Sequence, residues 1–300
     1  MSAEVGGTNG SRRGPRVVAI GGGHGLAATL RAARTYAGEL TAVVSVADDG
    51  GSTGRLRAGA DRPAPGDLRK CLVALADEGS LLARSMEHRF STGDIQGHAF
   101  GNLLIVAMAE TGGDLVEALD SIGALVGAVG RVLPTTSQPV DLRGAVRSGG
   151  TVQGQVAVAS HRDVLTVEVE PAGVEACPDA VEAIRRADQL VLGPGSLFTS
   201  VLAATAVDGI RDAVCAARGQ LVYVCNLQPQ VPETEGFGVA DHVAALLRHG
   251  IDPDVVLYDP DTIGGADGVE HAVAARVARP NGRAHDPERL GRALEGLLDH

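Results

Sequence analysis

The sequence predicts an α/β fold: a doubly wound, mainly parallel, Rossmann-like sheet carrying a small antiparallel β-excursion. Three observations support this. Short β-branched apolar runs alternate with helix-length segments through the first part of the 300-residue chain, and again from about residue 187. Two of those runs stop on glycine-rich turns that open helices, as the carboxyl ends of parallel strands do. The chain is 44% hydrophobic, enough for a sizeable core, and that core must be aliphatic because aromatics make up 2% and Trp is absent.

In chain order, RVVAI (16–20) reads as a short buried strand, GGGHG (21–25) as a turn and LAATLRAARTYAG (26–38) as a helix closed by Gly38. LTAVVSV (40–46) is the second strand. It runs into Asp48 and Asp49 and then a loop of Gly50, Gly51, Ser52, Thr53 and Gly54. RPAPGDLRKCLVALAD (62–77) starts a helix with Asp67 as its cap, and residues 97–113 and 113–127 read as two more helices. From 131 to 171 the apolar alternation has period two, with Gly149 and Gly150 placed like a hairpin turn, which predicts the β-excursion. ADQLVLG, QLVYVCNL and DVVLYD are then strands. They are separated by the helical segments 194–217 and 237–250, and residues 286–300 form an amphipathic C-terminal helix.

The first 14 residues are polar and read as a disordered tail, leaving 15–300 as one domain. A net charge of −11 argues against nucleic acid or an anionic membrane as the main partner. No run approaches the roughly 18 apolar residues of a membrane span, so a soluble, cytoplasmic protein is expected. The four cysteines form no CxxC pair and read as reduced core or near-core residues. Lys70 is the only lysine, which rules out most lysine-dependent chemistry.

Two loops carry the chemistry. Gly21, Gly22, Gly23, His24 and Gly25 lie between a strand and a helix, where backbone N–H groups and the positive helix end favour a phosphate. Read from Gly23, the run also fits G-x-G-x-x-A, with Asp48 near the place of a ribose-binding acid. Gly193, Pro194, Gly195 and Ser196 repeat the arrangement, and two such loops in one sheet suit a ligand with two phosphates. Asp48 and Asp49 have four readings: hydroxyl acceptors, Mg²⁺ ligands, acid–base groups, or loop acids without a function. His98 and Asn102 open a helix near the same crevice, and Asn226 ends a strand that lines it. Gly50 to Gly54 fits the hydrolase pattern G-x-S-x-G, but the RLRAGADRPAPG that follows reads as non-helical, so the elbow context is expected to fail. His161-Arg162-Asp163 echoes a kinase loop inside the β-excursion, without the lysine such a site needs.

The blocks VVAIGGGHGLAATLRAAR, LTAVVSVADDGGSTGRLR, PAPGDLRKCLVALAD, HAFGNLLIVAM, LVLGPGSLFTSVLAATAVDGI and LVYVCNLQPQVPETEGFGVADHV resemble, in order and spacing, the gluconeogenesis factor (YvcK) family. That family is a branch of the CofD-like superfamily, and the likeness runs from about Arg16 to Asp259. It implies a three-layer α/β/α fold and a cytoplasmic regulator that binds UDP-sugars, notably UDP-N-acetylglucosamine. Such a regulator supports cell-wall precursor supply and cell shape on gluconeogenic carbon sources, with no established reaction. Protein partners in cell-wall synthesis and a homo-oligomer are further expectations. Relatives in the CofD branch are Mg²⁺-dependent transferases that move a phospholactyl group onto a deazaflavin.

Carried over by position, the ligand residues are Gly21 to Gly25, Asp48, Asp49, Gly50, Gly51, Ser52, Asn102, Gly193, Pro194, Gly195, Ser196 and Asn226, with Asp48 and Asp49 as the places for Mg²⁺. His24 departs from the Thr of many members, a bulkier and titratable side chain that is expected to change the phosphate contacts and the nucleotide preference. The segment after Asp261 carries no mapped motif. A CofD-type transferase and a nicotinamide-dependent oxidoreductase stand as alternatives to the sensor.

Overall fold

The computed structural model describes residues 14–57 and 62–298, so the tail expected over 1–14 lies, Gly14 apart, outside the described residues. The strands are β1 (Arg16–Gly21), β2 (Glu39–Val44), β3 (Arg131–Pro134), β4 (Asp141–Val146), β5 (Thr151–Gln153), β6 (Val164–Glu170), β7 (Gln189–Leu192), β8 (Gln220–Val224), β9 (Val255–Tyr258) and β10 (Ala272–Ala274). Seven of them form one sheet in the order β10-β9-β8-β7-β1-β2-β3, every neighbouring pair parallel. The chain therefore walks outward from β1 to β3, returns to the middle, and walks the other way from β7 to β10. The order reverses between β1 and β7, and the crevice of such a sheet opens there.

The flanking helices are α1 (Gly23–Ala33), α2 (Gly51–Arg57), α3 (Gly66–Leu75), α4 (Leu81–Met86), α5 (Phe100–Gly112), α6 (Leu115–Val126), α7 (Gln155–Ala159), α8 (Pro178–Arg186), α9 (Ala203–Thr205), α10 (Asp208–Cys215), α11 (Val239–Arg248) and α12 (Pro287–Leu297). A π-helical turn, Leu197–Leu202, leads directly into α9. The core is aliphatic as composition requires, with Val17 to Ile20 of β1 and all of β7 buried on both faces. One polar tie crosses it: the Tyr36 hydroxyl donates to Gln189 Oε1 at 2.7 Å, and Gln189 Nε2 donates to the Leu294 carbonyl at 2.9 Å, fastening α12 to the sheet.

Several elements differ from the sequence reading. Residues 131–134 pair in parallel with β2 at the edge of the large sheet, so the antiparallel excursion is β5-β4-β6 and begins at Asp141. The turn at Gly149 and Gly150 does join β4 to β5. Helix α1 starts inside the glycine run, at Gly23, and ends at Ala33, short of Gly38. Asp67 does not cap α3, whose cap position is Pro65 without a side-chain bond. A helix, α2, does follow the acidic loop. Its Gly and Ser residues are poor helix formers, and tertiary bonds hold it: Arg57 reaches Asp141 at 2.8 Å and the Asp48 carbonyl at 3.2 Å.

Candidate functional site

A cleft of about 650 Å³ opens at the carboxyl ends of β1 and β7, where the strand order reverses. Of the residues expected there, Gly22, Gly23, His24, Gly25, Asp48, Pro194, Gly195, Ser196 and Asn226 line it. The walls do not include Gly21, Asp49, Gly50, Gly51, Ser52, Asn102 or Gly193.

The two glycine loops touch. A methyl group on Gly25 would lie 2.1 Å from the Pro194 carbonyl oxygen, so only glycine permits this approach, and Gly22 lies against Asp67 Oδ2. Thr29 Oγ1 donates to the Gly193 carbonyl at 2.6 Å and locks the two together. Despite this symmetry they offer different chemistry. Helix α1 has Gly22 at its cap position and no side-chain cap, and the first N–H groups of a helix have no partner within it.

The second loop is closed from within. Asn226 accepts from the Gly195 amide at 2.9 Å and donates back to the Gly195 carbonyl at 2.8 Å. The helix start behind it is stopped by Glu233, buried to 2% exposure, whose Oε1 accepts from both the amide and the hydroxyl of Thr199 at 2.9 Å. Burial pushes the Glu233 carboxyl upward. The pair of phosphate loops read from sequence thus resolves into one open helix start and one whose donors are occupied.

The acidic loop divides its two carboxylates. Asp48 faces the cleft, its Oδ1 accepting from the Gly50 amide at 2.9 Å. Burial first, then the nearby Asp67 charge, push its carboxyl upward. Asp49 turns away: its Oδ1 accepts from the Val156 amide at 3.0 Å, at the start of α7. That short helix, carried by the small sheet, forms one cleft wall with Gln155 and Val156, so Asp49 fastens the wall. The carboxylate that joins Asp48 at the cleft is Asp67. Among the described residues no group of three or more His, Cys, Asp or Glu side chains is placed to hold a metal. The pair expected to hold Mg²⁺, Asp48 and Asp49, is thus split, and the carboxylates that the cleft would offer such an ion are Asp48 and Asp67, the latter paired with Lys70.

Ser52 and Asn102 form a buried network behind the loop. The Ser52 hydroxyl stands 3.2 Å from His98 Nδ1 and accepts from Asn102 Nδ2 at 3.2 Å and the Ala99 amide at 3.4 Å. Asn102 Oδ1 in turn accepts from Arg69 Nε at 2.9 Å. The short helix α2 covers the start of the segment read as non-helical, but β2 ends at Val44 and Ser52 lies inside α2, so the sharp strand-to-helix turn of a hydrolase elbow is not formed, as expected. Ser52 is 4% exposed and its hydroxyl is engaged on three sides, which leaves no accessible nucleophile.

Sequence reasoning missed four titratable groups on the walls: Asp67, Lys70, Arg283 and His285. Asp67 and Lys70 pair one turn apart, at 2.9 Å, a spacing visible in GDLRK. Arg283 and His285 come from the segment after Asp261, where nothing local points to a site. Burial pushes the His285 imidazole down to about 4. His24, at the mouth, is lowered by partial desolvation and then by Lys70.

Comparison with known proteins agrees with this architecture. The sequence profile of the family described as 2-phospho-L-lactate transferase CofD matches residues 17–278. The gluconeogenesis factor of Halalkalibacterium halodurans is 38% identical over 247 residues, covering 81% of this chain and 77% of that protein. A Nostoc protein given the same name provisionally is 42% identical over 236 residues, 78% of this chain. The match takes in 52% of that relative, so the chain spans about half its length. The crystal structure of a UPF0052 family member from Bacillus halodurans superposes with a TM-score of 0.87 at 32% identity, covering 94% of this chain and 99% of that one. The chain is a member of the CofD family, on the branch of the gluconeogenesis factors.

Proposed function

We propose that this protein is a cytoplasmic regulator that binds a UDP-sugar, UDP-N-acetylglucosamine or a close relative, and reports nucleotide-sugar supply to cell-wall synthesis. The observation that carries this reading is the uncapped start of α1 at the point where the strand order reverses, open to a cleft of about 650 Å³. Free N–H groups and the positive helix end favour a phosphate there. Asp48 stands close by to accept hydroxyl hydrogens from the ribose or the sugar, and Arg283 on the rim supplies positive charge. Regulation then runs through protein partners or ligand-gated assembly, without turnover.

A second reading, a CofD-type transferase, is favoured by the matching family profile and by the two carboxylates, Asp48 and Asp67, at the cleft. It requires a divalent cation beside the phosphates and a product that accumulates with time. Calorimetric titration with UDP-N-acetylglucosamine, with and without EDTA and against GDP and NAD, separates the two. Selective, EDTA-insensitive binding that an Asp48→Asn substitution weakens supports the sensor. A requirement for Mg²⁺ or a preference for GDP supports the transferase, and tight NAD binding overturns both.

A further inference from the structure

The chain's only lysine stands in the cleft. Lys70 Nζ donates to Asp67 Oδ1 at 2.9 Å, one helical turn back on α3. This is no solvated surface pair: the Asp67 side chain is 7% exposed and that of Lys70 23%. Asp67 Oδ2 in turn packs on Gly22, the cap position of α1. The ammonium is thereby moored beside the open helix start, on the same wall as Gly23 and His24. An ammonium carries three hydrogens as a compact point charge. One is engaged by Asp67, and among the described residues no other side-chain or backbone oxygen accepts from Nζ.

We propose that Lys70 is a ligand-binding residue whose ammonium, positioned by Asp67, bonds a phosphate oxygen of the nucleotide sugar seated at the start of α1. The inference rests on the nucleotide-sugar reading and adds a residue to it. Every other cationic side chain is Arg. A guanidinium at this position would pair with Asp67 through its planar fork and spend two parallel donors on one carboxylate. An ammonium bridges instead, holding a carboxylate with one hydrogen and an anion with another. Charge supports the arrangement too, because Asp48 and Asp67 oppose an incoming phosphate and Lys70 offsets one of them.

A single lysine makes the test direct on the unmodified protein. An amine-selective acetylating reagent is applied with and without UDP-N-acetylglucosamine, at a concentration that calorimetry shows to be saturating. Acetylation of Lys70 is read by peptide mass spectrometry, the N-terminal amine serving as internal reference. The expected result is at least tenfold slower acetylation of Lys70 with ligand and an unchanged reference. Lys70→Met, which keeps most of the apolar stem, should weaken binding about tenfold while Lys70→Arg recovers part of the loss.

Unslowed acetylation under saturating ligand overturns the role of Lys70 and leaves the ligand reading intact. If calorimetry finds no nucleotide-sugar binding, inorganic pyrophosphate replaces it in the same experiment. Protection by pyrophosphate then retains Lys70 as a phosphate contact for another ligand, and absence of protection overturns the proposal.

Discussion

The side-chain amide of Asn226 holds Gly195 from both sides, donating to its carbonyl at 2.8 Å and accepting from its amide at 2.9 Å. One residue at the end of β8 thus sets the backbone of the loop that follows β7. Asn226→Asp puts an acceptor against the Gly195 carbonyl, replacing an attraction with a repulsion. The expected cost is about 1 kcal/mol in urea unfolding, the low end of the range for a polar group left unpaired, because both residues are half-buried. Asn226→Ala loses both bonds without the repulsion and should cost less. Equal losses in the two variants would show that the donated hydrogen is not what matters.

The contact between the two glycine loops predicts a sharp contrast between glycines. Gly25→Ala drives a methyl group to 2.1 Å from the Pro194 carbonyl oxygen, so the loops must part. We expect destabilisation of about 3 kcal/mol, the upper end of the usual range for overpacking because the obstacle is backbone that cannot give way, together with loss of ligand binding. Gly296→Ala, near the end of α12 with open space around it, should instead stabilise by up to about 1 kcal/mol and leave binding unchanged. Denaturant midpoints and calorimetric affinities of the two variants check both statements.

These two glycine loops also mark how far the sequence could be read. GGGHG and GPGS each follow an apolar strand and precede a helix, so their place in a parallel sheet is written locally. The difference between them is not, because it depends on Glu233 reaching Thr199 from 34 residues away. Asp48 and Asp49 are neighbours in sequence, yet in the irregular segment after β2 one faces the cleft and the other reaches Val156 beside the small sheet. The strand at Arg131–Pro134 looked continuous with the excursion because edge and hairpin strands share a period-two pattern. Helix α2 was hidden by its weak helix formers, and His285 by a segment whose only local signal is the capped helix after it.

His285 gives the molecule an acid sensitivity of definite sign. Its folded value of about 4 lies below the ordinary 6.5, so between those limits the unfolded chain binds a proton that the native state excludes. Stability is then full above about pH 6.5 and falls as pH drops toward 4, with a slope approaching about 1.4 kcal/mol per unit from this residue. Glu233, raised by burial, acts in the opposite sense. His285→Asn should therefore flatten the decline between pH 6.5 and 4 in a series of urea titrations. An unaltered slope would assign the decline to other groups.

Asp49 predicts an effect on the cleft from a residue that does not line it. Its carboxylate accepts from the Val156 amide, and a methyl group on Gly154 would lie 2.4 Å from its Oδ2, so it holds the first turn of α7. Asp49→Ala removes that acceptor at a cost of about 1 kcal/mol, the usual worth of such a cap. The loss should be local. Amide exchange over residues 154–158 should speed up while β1 and β7 keep their protection, and ligand affinity should fall several-fold because Gln155 and Val156 no longer hold the wall. Asp49→Asn keeps an acceptor oxygen and should retain most of both. If instead Asp49→Asn loses binding as fully as Asp49→Ala, with α7 still protected, the charge itself contacts the ligand or a metal bound with it. Both carboxylates of the acidic loop would then belong to the site.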